Sequence, residues 1–170
     1  MAAPAPPIFR SLLPLLLALP LAGQVPVGSW SLAEAPDIAA VIESATAPMN
    51  FITRPIARSR LKKTNEVHPR IRIEHPGSEL TIQYDDLQPQ HMPADGSPVP
   101  WKREDGEAFI LSARTGPDGL VQTYKAEDGE RSNAFRVDPA TGRLTVTVTV
   151  RSGRLPGPVT YSLSYRPSSP

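Results

Sequence analysis

The chain predicts a mainly β fold: an antiparallel up-and-down meander of seven or eight strands that closes into a barrel, with an N-terminal helical segment. Three observations predict it. Apolar residues between 36 and 66 recur at helical spacing, and from Arg70 onward the period drops to two. Turn signals then arrive at a steady interval: "EDGE" at 104–107, "GPDG" at 116–119, "EDGE" at 127–130, "DPATG" at 138–142 and "SGRLPGP" at 152–158. Each interval fits one strand plus one turn, as in an antiparallel meander. Finally, "LTVTVTVRSGRLPGPVTYSLSYRP", Leu144 to Pro167, alternates apolar and hydroxyl residues on both sides of a Gly/Pro break.

The first element, residues 1–23, reads as an export signal. Arg10 is its only charge, and the apolar run "SLLPLLLALPLAG" has the length of a signal-peptide core. That run is too short to span a bilayer as a helix, and Pro14 and Pro20 weaken it further. Cleavage fits after Gly23 or, later, after Ala33. Gln24 stands where a lipoprotein would carry its acylated cysteine, so no acyl anchor can attach there. Loss of Arg10 with the leader leaves 17 basic against 17 acidic residues, which makes no general electrostatic bid for nucleic acid. The expected destination is the periplasm or the medium. The chain has no cysteine, so an exported domain must hold together by burial alone.

Residues 24–35 read as a linker, small, polar and Pro-containing. The helical segment follows at 36–66. Pro36 fits a first helical position, with Asp37 in the first turn. Ile38, Val41, Ile42 and Ala45 share one face, and Phe51 extends the expected buried surface. Pro48 stops that helix, and "RPIARSRLKKTN" supplies a second. The β-meander domain spans 67–167. It opens with "RIRIE" and "LTIQYDD" around the hairpin signal "HPGS". The segment "LQPQHMPADGSPVP" has four prolines and cannot be a central strand. The eighth strand lies near Val99–Arg103. The two "EDGE" corners are 23 residues apart, two strands and two turns, so they share one end of the sheet.

Alternation assigns the inner face. Leu144, Val146, Val148, Val150, Val159, Tyr161, Leu163 and Tyr165 point in, and Thr145, Thr147, Thr149, Thr160, Ser162 and Ser164 point out. Phe109, Leu111 and Ala113 point in. Leu120 and Tyr124 bring Gln122 inside with them, and Phe135 and Val137 bring Asn133. A buried amide without a partner costs a few kcal/mol. Either these amides bond each other or they line a space that holds water or a polar ligand group.

Catalytic and metal chemistry find no motif. His68, His75 and His91 have no metal-ligand spacing. Asp85, Asp86 and Asp95 form no calcium-loop pattern, and acid–Gly pairs are ordinary turn residues. No serine sits in G-x-S-x-G or S-x-x-K, and no P-loop or dinucleotide fingerprint exists. The six carboxylates of the "EDGE" corners read as a solvated rim, compensated by Arg103, Lys125, Arg131 and Arg151. The basic run Arg54, Arg58, Arg60, Lys62 and Lys63 offers a contact for anionic lipid, or simply a solvated helix face with its cations toward the C-terminal end.

From Ile52 to Pro167 the chain resembles a group of uncharacterised exported bacterial proteins. "MNFITRPIARSRLKKTN", "SPVPWKREDGE", "YKAEDGERSNAF" and "GRLTVTVTVRSGRLPGPVTYSLSYRP" carry the resemblance. The pattern is also similar to the lipocalin or calycin type of barrel. With the first strand placed at Arg70, no lipocalin G-x-W motif is found beside it, and Trp101 follows Val99-Pro100 instead. The resemblance implies no enzyme activity, cofactor or catalytic residue.

Seven or eight alternating strands can close around side chains or one small ligand. The leading expectation is therefore an exported lipocalin-like protein that binds a small apolar or amphipathic molecule in the cell envelope. The candidate lining residues are Tyr84, Trp101, Phe109, Gln122, Tyr124, Asn133, Phe135 and Tyr161. The alternative is an envelope structural or interaction module without a ligand.

Overall fold

A computed structural model describes residues 25–169, so the predicted signal segment lies outside the described residues. Ten antiparallel strands form a single sheet that nearly closes into a barrel, with two helices. The expected seven or eight strands become ten because two short segments also pair.

The first is β1, Gly28–Glu34, inside the stretch expected to be a linker. It opens with Gly28-Ser29-Trp30, so the G-x-W missing beside Arg70 is present here. Trp30 points into the barrel and is buried, and its indole Nε1 donates to the Pro26 carbonyl at 3.0 Å. β1 pairs with both β2 (Arg70–Glu74) and the last strand, β10 (Val159–Ser168), and so joins the start of the sheet to its end. The barrel therefore begins near residue 28 rather than 67. The helical segment is an insertion between the first two strands, not a prefix to them.

That insertion holds α1 (Ile38–Thr46) and α2 (Thr53–Thr64). Asp37 is the N-cap of α1 rather than a first-turn residue, so the helix starts two residues later than the pattern suggested, and its carboxylate accepts from the Ala40 amide at 3.1 Å. Ile42 is fully buried, and Ile38 and Val41 pack against the core. Phe51 departs from expectation. It is 83% exposed, because the turn between the helices carries it outward at the barrel mouth. In α2 only Leu61 is buried.

β3 (Glu79–Tyr84) returns from β2 by the "HPGS" turn, where Gly77 takes φ +64°. β4 (Gln90–Pro93) is the second unexpected strand. It is a sheet edge and pairs only with β3, which is why its proline-rich surroundings are tolerated. The other edge is β5 (Val99–Lys102), which contains Pro100. β6 (Ala108–Gly116), β7 (Gly119–Lys125), β8 (Gly129–Val137) and β9 (Leu144–Ser152) complete the meander to β10. No ladder joins β4 to β5. At one end the gap is spanned by the Asp95–Arg114 bridge and by the Thr115 amide, which donates to the Ala94 carbonyl at 3.1 Å.

The predicted inner face is the observed one. Leu144, Val146, Val148, Val159, Tyr161, Leu163 and Tyr165 are all buried. Outside, Thr147 pairs with Ser162 at 3.1 Å and Thr160 with Thr149 at 3.3 Å, cross-strand hydroxyl contacts on the wet face. Both "EDGE" corners lie at the α2 end of the barrel. The opposite end is packed solid by Trp30, Ile73, Leu80, Leu120, Phe135, Leu144 and their neighbours.

Candidate functional site

The register stacks the inward residues in rungs. Leu120, Phe135, Val146 and Leu163 sit side by side deep in the barrel. One rung higher come Ala113, Gln122, Asn133, Val148 and Tyr161. Above these lie Leu111, Tyr124, Arg131, Val150 and Val159. The composition changes from apolar to amide and phenol to mixed across three steps.

The middle rung forms a closed polar layer. The Tyr84 hydroxyl donates to Gln122 Oε1 at 2.8 Å, and Asn133 Nδ2 donates to the Tyr84 oxygen at 3.0 Å. Gln122 Nε2 donates to Gln90 Oε1 at 2.6 Å, and the Tyr124 hydroxyl donates to the same oxygen at 2.7 Å. The inward amides thus satisfy one another, which is the condition for burying them. Burial pushes the Tyr84 hydroxyl well above its ordinary range, and the neighbouring Tyr124 adds to the rise. Burial also raises Tyr124, against the pull of Arg131. All of these groups are neutral at physiological pH.

Above that layer lies a cavity of about 800 Å³. Its floor is the polar layer and its roof is α2, through Ile56, Ala57 and Leu61. Trp101, Phe109 and Tyr124 make an aromatic wall. Their ring centroids are 6.0–6.2 Å apart, and Tyr124 stands edge-on to the other two. The Arg103 guanidinium lies 5.5 Å over the Phe109 ring. Trp101 Nε1 is the one buried side-chain polar atom among the described residues with no partner.

Five of the predicted residues border this cavity: Tyr84, Trp101, Phe109, Tyr124 and Asn133. Three do not. Gln122 lies within the floor, fully buried. Phe135 belongs to the packed lower half, one rung too deep. Tyr161 is turned to α2, where its hydroxyl donates to Asn65 Oδ1 at 3.1 Å.

Arg131 corrects the expected rim. It does not compensate the "EDGE" carboxylates; it points into the barrel and borders the cavity. Nε donates to Asn133 Oδ1 at 3.0 Å, and Nη1 donates to the Thr64 carbonyl at the end of α2. It takes part in none of the ion pairs found among the described residues. The corner carboxylates pair elsewhere. Lys63 meets Asp105 at 2.9 Å, Arg154 meets Asp128 at 2.8 Å with Arg60 at 3.9 Å, and Arg103 binds both Asp105 and Glu107. The Lys63 and Arg60 pairs tie α2 to the rim turns, and Arg103 with Lys63 holds the Asp105 carboxyl well below the usual range. Of the other basic-run residues, Arg58 pairs with Glu43 and Arg54 donates to the Ala47 and Met49 carbonyls. Among the described residues no three His, Asp or Glu side chains converge on a metal position.

The barrel shares its fold with solved fatty-acid-binding proteins. The Echinococcus granulosus fatty-acid-binding protein 1 superposes with a TM-score of 0.57 at 14% identity, covering 84% of this chain and 97% of that one. A "REP1-NXSQ fatty acid transporter" gives 0.56 at 13% identity, covering 85% and 96%. A Schistosoma mansoni fatty-acid-binding protein, solved with arachidonic acid, gives 0.53 at 21% identity, covering 84% and 96%. No family model and no curated protein matches the sequence.

Proposed function

We propose that the protein is an exported carrier for a small amphipathic molecule. The apolar body lies against the Trp101–Phe109–Tyr124 wall under α2, and an acidic head meets Arg131. The observation that carries this is the cavity itself: roofed, aromatic-walled and supplied with an inward cation, Arg131, that pairs with no carboxylate among the described residues. A half-buried guanidinium with only neutral acceptors is poorly compensated, and an anionic ligand would improve its surroundings. That the similar structures are of proteins named for fatty-acid binding or transport supports an apolar or amphipathic guest. The ligand is carried rather than converted, since the cavity border offers no nucleophile with an adjacent base.

Export to the periplasm or the medium rests on the leader at 1–23. Cleavage after Gly23 keeps β1 whole, whereas a cut after Ala33 would remove Trp30 from the core. Intact mass of the secreted protein should therefore place its first residue at Gln24, and a cytoplasmic, uncleaved product would refute the export assignment.

Binding is tested with dodecanoate as the probe. With excitation at the red edge of the indole band, only Trp30 and Trp101 emit, and only Trp101 borders the cavity, so a saturable change in emission reports occupancy. It should disappear in Trp101→Phe. Native mass spectrometry of the protein from its host should also show a retained small molecule. If no saturable binding occurs and no molecule is retained, the proposal fails.

A further inference from the structure

We propose that Arg131 is an exchange clasp. Its guanidinium holds the end of α2 through the Thr64 carbonyl, and an acidic ligand head competes for that guanidinium and loosens the helix end. The inference rests on the ligand-binding function proposed above and concerns how that site is regulated.

Thr64 is the last residue of α2, and its carbonyl is one of the four that an α-helix leaves without an intrahelical donor. A cation there also favours the helix dipole. Arg131 serves both roles from the barrel interior. A second interior residue, Tyr161, holds the adjacent Asn65, which in turn donates to the Leu61 carbonyl at 2.8 Å. The far end of the helix is different. Ile52 and Ile56 are 65% and 56% exposed, and there Arg58 ties the helix to Glu43 and Thr46 of α1, not to the barrel. Near the C-terminal end, the Lys63 and Arg60 pairs lie in solvent, where such contacts hold little. The barrel interior's grip on α2 is thus concentrated at its C-terminal turn.

A carboxylate takes a guanidinium through a fork of two nitrogens. Both forks of Arg131 contain a nitrogen already in use: Nε is bonded to Asn133 and Nη1 to Thr64. Asn133 is fixed in the polar layer by its bonds to Tyr84 and Gln122. The Thr64 carbonyl has no such support, so it is the partner that gives way. A charged acceptor is roughly twice as strong as a neutral one, which sets the direction of exchange. Coupling is reciprocal, so a loosened helix end also favours the acid.

The test compares dodecanoate with its methyl ester, which fills the same apolar space without the charge. Hydrogen exchange is followed on the full chain at saturation with each. The amides of Leu61, Lys62, Lys63 and Thr64 should exchange at least about fivefold faster with the acid than with the ester, the lower end of ordinary coupling. Arg131→Gln should abolish that difference, and Arg131→Lys, which keeps the charge but lacks the fork, should reduce it. Equal exchange with both ligands, or slower exchange with the acid, overturns the clasp while leaving the binding function standing. If a titration shows that neither compound binds, the binding function falls and the clasp falls with it.

Discussion

Replacing Gln122 by leucine tests whether the polar layer is a satisfied floor. Gln122 is fully buried, and leucine has nearly its volume, so the change is mainly one of hydrogen bonding. Tyr124 keeps Gln90 Oε1 as acceptor at 2.7 Å, and Asn133 keeps the Tyr84 oxygen at 3.0 Å. Gln90 Oε1 still accepts from Tyr124. Only the Tyr84 hydroxyl loses its sole acceptor. One orphaned buried donor costs about 1–3 kcal/mol, so Gln122→Leu should destabilise by about that amount. Urea melts should show a lower midpoint at unchanged slope; with a slope of about 1–3 kcal/mol per molar, the shift is about 1 M. Thr123→Ala, one residue along and facing outward, is the control and should stay within about 0.5 kcal/mol. If Gln122→Leu matches the control or gains stability, the amides and phenols contribute no net bonding and the floor is not the closed network described.

Leu163→Ala should cost about 2–5 kcal/mol in the same melts, because it empties part of the packed core, whereas Ser162→Ala should be close to neutral; similar costs would refute the face assignment. Gly119→Ala should be severely destabilising or fail to fold: φ is +109° and the new Cβ would stand 2.2 Å from the Phe135 carbonyl oxygen, so a soluble variant with wild-type melting would refute the tight β6–β7 turn. Alkaline melts test the buried phenols. Burial raises all four tyrosines, 84, 124, 161 and 165, above their ordinary value near 10. Their stabilisation is therefore complete below about pH 9. It is lost as pH climbs from the unfolded value through the raised folded ones, by up to about 1.4 kcal/mol per tyrosine per pH unit. A melting temperature that stays flat beyond pH 11 would contradict that burial.

The architecture was legible where alternation ran long. β9 and β10 carry nine and ten residues with one apolar face, and every inward assignment there but the half-buried Val150 is fully buried. β1 was hidden because Trp30 and Leu32 are its only large apolar residues and prolines bracket it at 26 and 36. Its place comes from pairing with β10, more than a hundred residues away, which no local pattern encodes. β4 was hidden by proline, yet an edge strand needs donors on one side only. Phe51 misled because a large aromatic next to a helix usually buries, and the inter-helix turn carries this one outward. Arg131 had a usable signal. The period of two that puts Phe135 and Asn133 inside leads directly to it, and its charge alone argued for the rim. Gln90 had none, since its contact with Gln122 spans 32 residues of folded chain.

The same inward face therefore does two different things along its length. Toward β10's C-terminal end, Leu163 and Tyr165 meet Val146, Leu144 and Phe135, and the side chains fill the interior at native density. Two rungs above the Leu120–Phe135 step, Val150 and Val159 are too small to reach the opposite wall, and Arg131 is held aside by Thr64 and Asn133. Space remains there, and α2 covers it, held by Arg131 on the Thr64 carbonyl, by Tyr161 on Asn65 and by the buried Leu61. Between the two regions a layer of amides and phenols would be a costly choice for a barrel meant only to pack, since leucine at 122 and 133 would fill the same volume without needing partners. Its value is to end the solid core at a flat, polar surface that a ligand can face.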